Sequence, residues 1–247
     1  MTIAVITGAG SGIGAETAAR LAGAGYTVAL CGRRADRLER TRQGLPGTAH
    51  SVHPGDLTDV TAVRRVAAQI TGTHDGVDVL VHAAGGLAHV ESVDDDGDGL
   101  SAVAADLGAS FAANVLSTAL LTHALGPSLR DGRGRVIAVS SIAGQRGGGL
   151  GYASAKAAVH GWAYDRARAV GPRGITVNVV APGYTAGTEF FGDAMTPARH
   201  ERLVAETLTK RAGRPGDVAA TIEFLASAEA GHLTAQVIGV NGGALPG

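Results

Sequence analysis

Residues 7–14 read Thr7-Gly8-Ala9-Gly10-Ser11-Gly12-Ile13-Gly14, and this glycine-rich stretch decides the fold. It follows the apolar run IAVIT at residues 3–7 and opens a helical pattern at residues 12–24. Glycines at such a junction permit a tight turn and let the backbone approach a pyrophosphate closely. The amino terminus of the helix then offers unpaired N–H groups and a positive dipole to the anion. The stretch therefore predicts a dinucleotide-binding loop, and the alternative is an ordinary turn in a chain rich in Gly and Ala.

Short apolar runs and helical patterns alternate along all 247 residues, without an internal repeat or a low-complexity linker. Several runs are continuous in Val, Ile, Leu and Ala, as expected when helices cover both faces of a parallel sheet. We predict a single-domain α/β fold over residues 1–247, a Rossmann-like doubly wound parallel sheet of about seven strands with helices on both faces. The predicted strands are 3–7, 27–31, 49–52, 77–82, 135–140, 176–180 and 236–240, and the predicted helices are 12–24, 35–43, 59–71, 99–126, 152–171, 197–210 and 216–227.

Composition excludes several functional classes. Lys+Arg 21 against Asp+Glu 22 gives a formal net charge of -1, so we expect neither nucleic-acid nor membrane binding. The single cysteine, Cys31, excludes an intramolecular disulfide framework and is expected in the core. The amino-terminal residues lack the features of a signal peptide, and we expect a cytoplasmic protein.

Two other stretches have more than one interpretation. Residues 107–129 carry no formal charge and are long enough to span a bilayer, but their polar side chains favour a buried helix in an α/β core. The acidic run Asp94-Asp95-Asp96 is interpreted as a solvated loop. His50 and His53 have no Cys partners, so we predict no metal site.

Further motifs follow the glycine loop in a fixed order. The loop itself has the spacing T-G-x-x-x-G-x-G, which differs from the common G-x-G-x-x-G. The later motifs are His82-Ala83-Ala84-Gly85, Asn114 in a helix, Ser140-Ser141-Ile142-Ala143-Gly144, Tyr152-x-x-x-Lys156, Pro182-Gly183 and Asn241-Gly242-Gly243. Along nearly the whole chain this order resembles the short-chain dehydrogenase/reductase family, and in particular its 3-oxoacyl-carrier-protein reductase and ketoreductase-like members. His82 departs from the family, which has Asn at that position.

The resemblance implies a catalytic set of Asn114, Ser141, Tyr152 and Lys156. In it Ser141 holds the carbonyl oxygen of the substrate, and Asn114 orients a water relay toward Lys156. Two alternatives stay open: Ser140 could take the role of Ser141, because the stretch up to Tyr152 is about two residues shorter than usual in the family, and Asn114 could bend its helix or serve as a buried hydrogen-bonding group. The resemblance assigns cofactor binding to Gly8, Ser11, Gly12, Ile13, Gly14, Arg33, Arg34, Asp56, Leu57, Ala83, Ala84, Gly85, Tyr152, Lys156, Pro182, Gly183 and Thr188.

The pair Tyr152 and Lys156 carries the acid–base chemistry. The two residues are four positions apart and so share one helix face, although an amphipathic surface pair has the same spacing. A phenol has an unperturbed pKa near 10, and a neighbouring cation lowers it. A shift to about 7 corresponds to about 4 kcal/mol, which requires Lys156, the positive nicotinamide ring and desolvation to act together. A compact ammonium can reach both the ribose hydroxyls and the phenol.

The residues at the end of the second predicted strand indicate which nicotinamide cofactor is bound. NAD-binding Rossmann folds usually carry an acid there, whereas an Arg accommodates the 2′-phosphate of NADP. This chain has Gly32 followed by Arg33 and Arg34, which favours NADPH over NAD. Asp56 is either the adenine contact that the resemblance implies or a helix amino-terminal acid.

The reaction that the resemblance implies is NADPH-dependent reduction of a ketone or 3-oxoacyl carbonyl to an alcohol. The alternatives are NAD-dependent oxidation of a secondary alcohol and a non-catalytic dinucleotide-binding regulator. Residues 184–212 are expected to form a substrate lid, in which Phe190 and Phe191 favour an apolar substrate, or else a core plug. In the family that the chain resembles, equivalent helices pair between subunits, so the apolar helices at 107–129 and after Tyr152 imply a homotetramer or homodimer. The alternative is that both helices are buried within one chain.

Overall fold

The computed structural model describes residues 2–87 and 98–246. The acidic run at Asp94-Asp95-Asp96 lies outside the described residues, so its interpretation as a loop stays a prediction. Cys31 is fully buried, as expected, and burial raises the pKa of its thiol to about 12. It is therefore a protonated core residue.

The described residues contain one sheet of seven parallel strands, which confirms the predicted fold class. The strands are β1 Ile3–Thr7, β2 Thr27–Gly32, β3 Ser51–Pro54, β4 Val79–His82, β5 Arg135–Val139, β6 Thr176–Pro182 and β7 Val237–Val240. Their spatial order is β3-β2-β1-β4-β5-β6-β7, so the chain crosses the sheet between β3 and β4. The helices are α1 Gly12–Gly23, α2 Ala35–Gln43, α3 Val60–Thr73, α4 Leu100–Phe111, α5 Ser117–Leu125, α6 Ala143–Arg146, α7 Leu150–Val170, α8 Pro197–Ala205 and α9 Pro215–Ala226.

Two apolar clusters fill the space between the sheet and its helices. Successive strand residues point to opposite faces, so Val5 of β1 packs in one cluster while Ile6 packs in the other. The first cluster joins the sheet to α3, α5 and α7, and the second joins it to α1, α2 and α9. The two layers of helices hold the carboxyl ends of the strands in place.

The structure corrects three predicted boundaries. The third strand is Ser51–Pro54 rather than 49–52, because the His50 ring, and not its backbone, accepts the Val28 N–H at 3.0 Å. The helix predicted at 99–126 contains a π-helical turn at Ala112–Leu116, between α4 and α5. The helix predicted at 197–210 ends at Ala205, because the N–H groups of Leu208 and Thr209 bond the Gly242 carbonyl oxygen instead of continuing the helix.

The expectation that the apolar helix at 107–129 is buried in the core was wrong for much of its surface. Leu121 and Leu125 are fully buried, but Phe111 is 39% exposed and Leu116 is 44% exposed. The helical stretch Leu100–Ser128 is long and apolar enough to cross a membrane by length and composition, and 22% of its most apolar window is buried. An apolar face of this stretch is therefore uncovered in the single chain.

Candidate active site

A large cleft lies along the edge of the sheet where all seven strands end. Parallel strands end at one edge, and the reversal of strand order beside β1 opens a crevice there. The cleft has a volume of about 1260 Å³ and is lined by the loops after β1, β4, β5 and β6. Single small ligands occupy pockets of roughly 300–1,000 Å³. The cleft therefore has room for a dinucleotide and a second molecule.

The glycine loop after β1 forms one end of the cleft. Gly8 has a φ of +66°, and a Cβ there would lie 2.7 Å from the Ala83 carbonyl oxygen. A Cβ at Gly14 would meet the backbone oxygen of Gly8. Ser11 is the N-cap of α1, yet its side chain makes no capping hydrogen bond to this 12-residue helix. The first-turn N–H groups thus have no side-chain acceptor at the cap, which fits a bound pyrophosphate.

The loop after β4 is fastened to its neighbours by side chains. The Thr7 hydroxyl accepts the Ala84 N–H at 2.9 Å. The Asn114 amide donates to the carbonyl oxygens of Gly86 at 3.0 Å and Ser110 at 2.9 Å, and its oxygen accepts the Gly86 N–H at 2.9 Å. Gly85, with φ of +135°, must lack a side chain, because a Cβ would meet the Asn114 oxygen.

Asn114 therefore lies behind this loop rather than on the cleft wall. It is 1% exposed and sits in the π-helical turn, a local feature often found at functional sites. Its hydrogen bonds to the described residues all go to backbone groups. This geometry favours the buried hydrogen-bonding role that the sequence left open.

The two adjacent serines after β5 have different partners. The Ser140 hydroxyl donates to the Lys156 carbonyl oxygen at 2.8 Å and contacts His160 Nε2 at 2.9 Å. The Ser141 hydroxyl accepts the Ala143 N–H at 3.1 Å and lies close enough to the phenol of Tyr152 to lower its pKa. Ser141, and not Ser140, is therefore the serine that lies beside the phenol of Tyr152.

The shortened loop between Ser141 and Tyr152 is closed by glycines. Gly147, Gly148 and Gly149 have φ angles of +84°, +131° and +106°, a region that favours glycine. The short helix α6 precedes them, and α7 begins directly after Gly149. These conformations let a shorter loop place Tyr152 beside Ser141.

Tyr152 and Lys156 lie on α7 and are 9% and 4% exposed. The Lys156 ammonium donates to the Val139 carbonyl oxygen at 2.9 Å and lies 5.7 Å from the centre of the Tyr152 ring. Burial raises the pKa of Tyr152 to about 12, against an opposing hydrogen bond from Ser141. Burial also lowers the pKa of Lys156 to about 8. The protein groups by themselves therefore keep the phenol protonated, and the shift toward 7 needs a further positive charge.

The cofactor end of the cleft contains an ion-pair cluster that the sequence analysis missed. The Glu189 carboxylate, in the connection after β6, lies 3.2 Å from Arg34 Nη2 and 3.0 Å from Arg37 Nη1. The hydrogen bond from Arg34 and the charges of both arginines lower the pKa of Glu189. Arg37 follows Arg34 by about one helical turn, so the sequence could have indicated that it lies beside the predicted arginines. No local pattern indicates that Glu189 reaches them.

Asp56 lies before the N-cap of α3 and outside its first turn, so the alternative of a helix amino-terminal acid was wrong. Its carboxylate accepts the Thr58 N–H at 2.9 Å and the Thr58 hydroxyl at 2.8 Å, and these bonds lower its pKa. The N-cap of α3 is Asp59, which accepts the Ala62 N–H at 2.6 Å. Asp56 instead lines the cleft, next to Leu57.

His82 points into the core. Its Nε2 lies 2.7 Å from the Thr122 hydroxyl, and its ring meets Trp162 edge-on at 5.9 Å. Burial lowers the pKa of His82 to about 3, so the ring is neutral. Within residues 2–87 and 98–246 there is no group of three or more His, Cys, Asp or Glu that could hold a metal ion.

The cleft brings together the cofactor and catalytic residues named from sequence, apart from Asn114. Thr188 lies over the glycine loop, since a Cβ added at Gly12 would be 3.5 Å from the Thr188 methyl group. The residues on the cleft wall are Gly8, Ser11, Gly12, Ile13, Gly14, Arg33, Arg34, Asp56, Leu57, Ala83, Ala84, Gly85, Ser141, Tyr152, Lys156, Pro182, Gly183 and Thr188.

Comparison with known proteins identifies the family. A family model described as Enoyl-(Acyl carrier protein) reductase matches residues 8–244. The chain belongs to the short-chain dehydrogenase/reductase family. This short-chain dehydrogenase/reductase is thus an oxidoreductase that binds a nicotinamide dinucleotide and acts on hydroxyl or carbonyl groups.

Relatives of this short-chain dehydrogenase/reductase span its whole length. It is 32% identical to an acetoacetyl-CoA reductase of Rhizobium meliloti (strain 1021), covering 98% of this chain and 97% of that one. It is 33% identical to a (3R)-3-hydroxyacyl-CoA dehydrogenase of Homo sapiens, covering 98% and 94%. A short-chain dehydrogenase from Burkholderia cenocepacia J2315, solved in complex with NADP, superposes with a TM-score of 0.85 at 31% identity, covering 98% and 97%.

Proposed function

We propose that this enzyme uses NADPH to reduce the ketone of a 3-oxoacyl-type substrate to an alcohol. The observation that carries the proposal is the grouping of three side chains on the cleft wall: the Ser141 hydroxyl lies near the Tyr152 phenol, and the Lys156 ammonium lies 5.7 Å from the centre of the Tyr152 ring. The names of the relatives, an acetoacetyl-CoA reductase and a 3-hydroxyacyl-CoA dehydrogenase, support carbonyl–alcohol chemistry on acyl substrates. A single domain at residues 1–247 holds both the cofactor and the substrate in this proposal.

Each of these side chains has a distinct task in the reduction. The hydroxyl groups of Ser141 and Tyr152 hold the substrate oxygen and orient the carbonyl. When bound, the nicotinamide supplies a hydride to the carbonyl carbon. Tyr152 donates its phenolic proton to the oxygen as negative charge develops there. The Lys156 ammonium stabilises the phenolate that remains and holds the ribose hydroxyls of the cofactor.

Tyr152 serves as the acid in reduction and, as the phenolate, as the base in alcohol oxidation, so this side chain supports both directions. Burial raises the pKa of its phenol to about 12 in the protein alone, and lowering it toward neutral pH in the complex requires the Lys156 ammonium and the positive nicotinamide ring. Asn114 supports both directions by holding the Gly85–Gly86 backbone against the helix. It acts as a positioning residue in this proposal.

The preference for NADPH rests on the cationic end of β2. Arg33 and Arg34 are exposed there, Arg37 lies one turn further, and Gly32 leaves no acid on the strand. One charge-assisted contact between a guanidinium and a phosphate contributes about 1.5–3 kcal/mol. Solvent exposure reduces this, so we expect a preference for NADPH over NADH of roughly ten- to a hundredfold. The Glu189 carboxylate favours the alternative, NAD-dependent alcohol oxidation, because a carboxylate can accept the ribose hydroxyls.

The cofactor proposal is tested by kcat/KM for NADPH and NADH, measured at 340 nm with a 3-oxo ester. Wild type is expected to prefer NADPH, and Arg33→Ala and Arg34→Ala are each expected to lower the ratio. Arg64→Ala replaces an exposed arginine of α3 that does not line the cleft; it is the matched control and is expected to leave the ratio unchanged. Equal use of both cofactors by wild type would favour the NAD-linked alternative.

The proposed substrate lid, residues 184–212, contributes both apolar and charged side chains. The Phe190 ring lies 5.3 Å from the Tyr152 ring and 4.7 Å from that of Phe191. These rings support an acyl substrate with an apolar portion next to the reacting carbonyl. Arg199 and Arg202 of α8 also line the cleft, so its wall is not entirely apolar.

We also propose that the enzyme is a cytoplasmic homo-oligomer, a tetramer or a dimer. The uncovered apolar side chains support this assembly: Leu100 and Leu150 are 67% and 57% exposed, and Tyr164 of α7 is 60% exposed. An apolar helix face of this kind is buried favourably against a second copy of itself. Light scattering at micromolar concentration is expected to give a mass of two or four chains, and a monomer would contradict the proposal.

A further inference from the structure

The segment 188–190 touches three different parts of the active site through three consecutive residues. The Thr188 methyl group lies over Gly12 of the glycine loop. The Glu189 carboxylate bridges Arg34 and Arg37 at the end of β2. The Phe190 ring packs on Tyr152 at 5.3 Å. The segment therefore crosses the cleft from the cofactor end to the reacting phenol.

The bridge made by Glu189 has the form of an oxyanion site. Each carboxylate oxygen meets one guanidinium, at 3.2 Å for Arg34 and 3.0 Å for Arg37. Guanidinium groups bind carboxylate and phosphate oxygens with the same donor geometry. The carboxylate of the lid thus occupies donors that suit the 2′-phosphate of NADP.

We propose that Glu189 competes with the 2′-phosphate of the cofactor for Arg34 and Arg37, and so limits the preference of the enzyme for NADPH. The inference rests on the proposed use of NADPH. A dianionic phosphate with three acceptor oxygens displaces a single carboxylate from the two guanidinium groups. NADH has no group that can do so, and it leaves the Glu189 bridge intact.

The solvent exposure of the three side chains makes such an exchange feasible. The side chains of Arg34, Arg37 and Glu189 are 54%, 35% and 55% exposed. Ion pairs at this exposure are weak and are screened by salt. Glu189 therefore lowers the affinity for NADPH modestly without preventing binding, and its removal is expected to strengthen binding about three- to tenfold.

The test isolates the phosphate by comparing 2′,5′-ADP with 5′-AMP in calorimetric titrations of the full chain. Glu189→Gln is expected to bind 2′,5′-ADP and NADPH about three- to tenfold more tightly than wild type, with 5′-AMP and NADH unchanged. The gain is expected to shrink at high salt, because screening weakens the competing bridge. Glu39→Gln removes another carboxylate paired with an arginine of α2, Arg42 at 2.6 Å, and is the matched control with no expected effect.

Two results would overturn the inference. Unchanged affinity of Glu189→Gln for 2′,5′-ADP would mean that Glu189 does not compete with the phosphate. Weaker binding of NADH and 5′-AMP by this variant would mean that Glu189 holds the ribose hydroxyls instead. The wild type separates this inference from the proposed function: if it binds NADH as tightly as NADPH, the use of NADPH itself fails. If the wild type prefers NADPH and Arg34→Ala lowers that preference while Glu189→Gln has no effect, only the competition fails.

Discussion

The Ser140 hydroxyl donates a hydrogen bond of 2.8 Å to the backbone carbonyl oxygen of Lys156. This bond ties the end of β5 to the middle of α7, so the Lys156 ammonium meets the Val139 carbonyl oxygen at the cleft floor. Ser140 is 3% exposed, and its neighbour Ser141 faces Tyr152 instead. Two adjacent hydroxyl groups thus have separable structural and chemical roles.

Replacing each serine by alanine in turn tests whether their structural and chemical roles are separate. Ser140→Ala leaves a buried carbonyl oxygen and His160 without this partner, and we expect a loss of about 1–3 kcal/mol in the free energy of unfolding. Ser141→Ala removes a donor to the substrate oxygen, and we expect kcat to fall roughly 10²–10³-fold with little change in stability. Urea unfolding and steady-state kinetics on both variants make the comparison. The reverse pattern, with Ser140→Ala the more inactive, would give the carbonyl-holding role to Ser140.

The pH dependence of cofactor binding follows from Lys156. Burial lowers its pKa to about 8, so the free enzyme loses the positive charge above that pH. If the ammonium holds the ribose, NADPH affinity is constant below about pH 8 and falls by up to about tenfold per pH unit above it. Fluorescence titration between pH 6.5 and 9.5 measures this. Lys156→Arg keeps its charge over the range and is expected to give a flat profile, and a flat wild-type profile would contradict the role of Lys156.

We expect the free energy of unfolding to fall in acid because of His82. Its pKa is about 3 in the folded protein, below the ordinary value near 6.5, so the unfolded chain binds the proton more readily. The contribution of the neutral ring is complete above about pH 6.5 and is lost as the pH falls toward 3. At pH 5 the loss is about 2 kcal/mol.

The variant His82→Gln keeps an amide near Thr122 but does not titrate. Its free energy of unfolding in urea is expected to fall less than that of wild type between pH 7.5 and pH 5, by about 2 kcal/mol. The comparison uses the difference between the two pH values, so any general destabilisation by the substitution cancels. An equal fall in both proteins would mean that His82 is not the acid-sensitive group.

The fold and most of the cleft could be predicted because they depend on local patterns. Continuous apolar runs mark buried parallel strands, and residues that follow such strands meet at one edge of the sheet. Ser141, Tyr152 and Gly8 come together for that reason. The ion-pair cluster could not be predicted, because Arg34 and Glu189 are 155 positions apart and their contact depends on the path of the loop after β6. The direction of His82 likewise depends on which strand face meets α5.

The most direct test of the proposed reduction is the kcat of Tyr152→Phe with NADPH and a 3-oxo ester, together with the Kd for NADPH. The substitution removes only the hydroxyl group that donates the proton and keeps the ring that packs against Phe190. We predict that kcat falls roughly 10²–10⁴-fold while the Kd for NADPH changes by less than about twofold. A variant that keeps a substantial part of the wild-type kcat would contradict the assignment of Tyr152 as the proton donor.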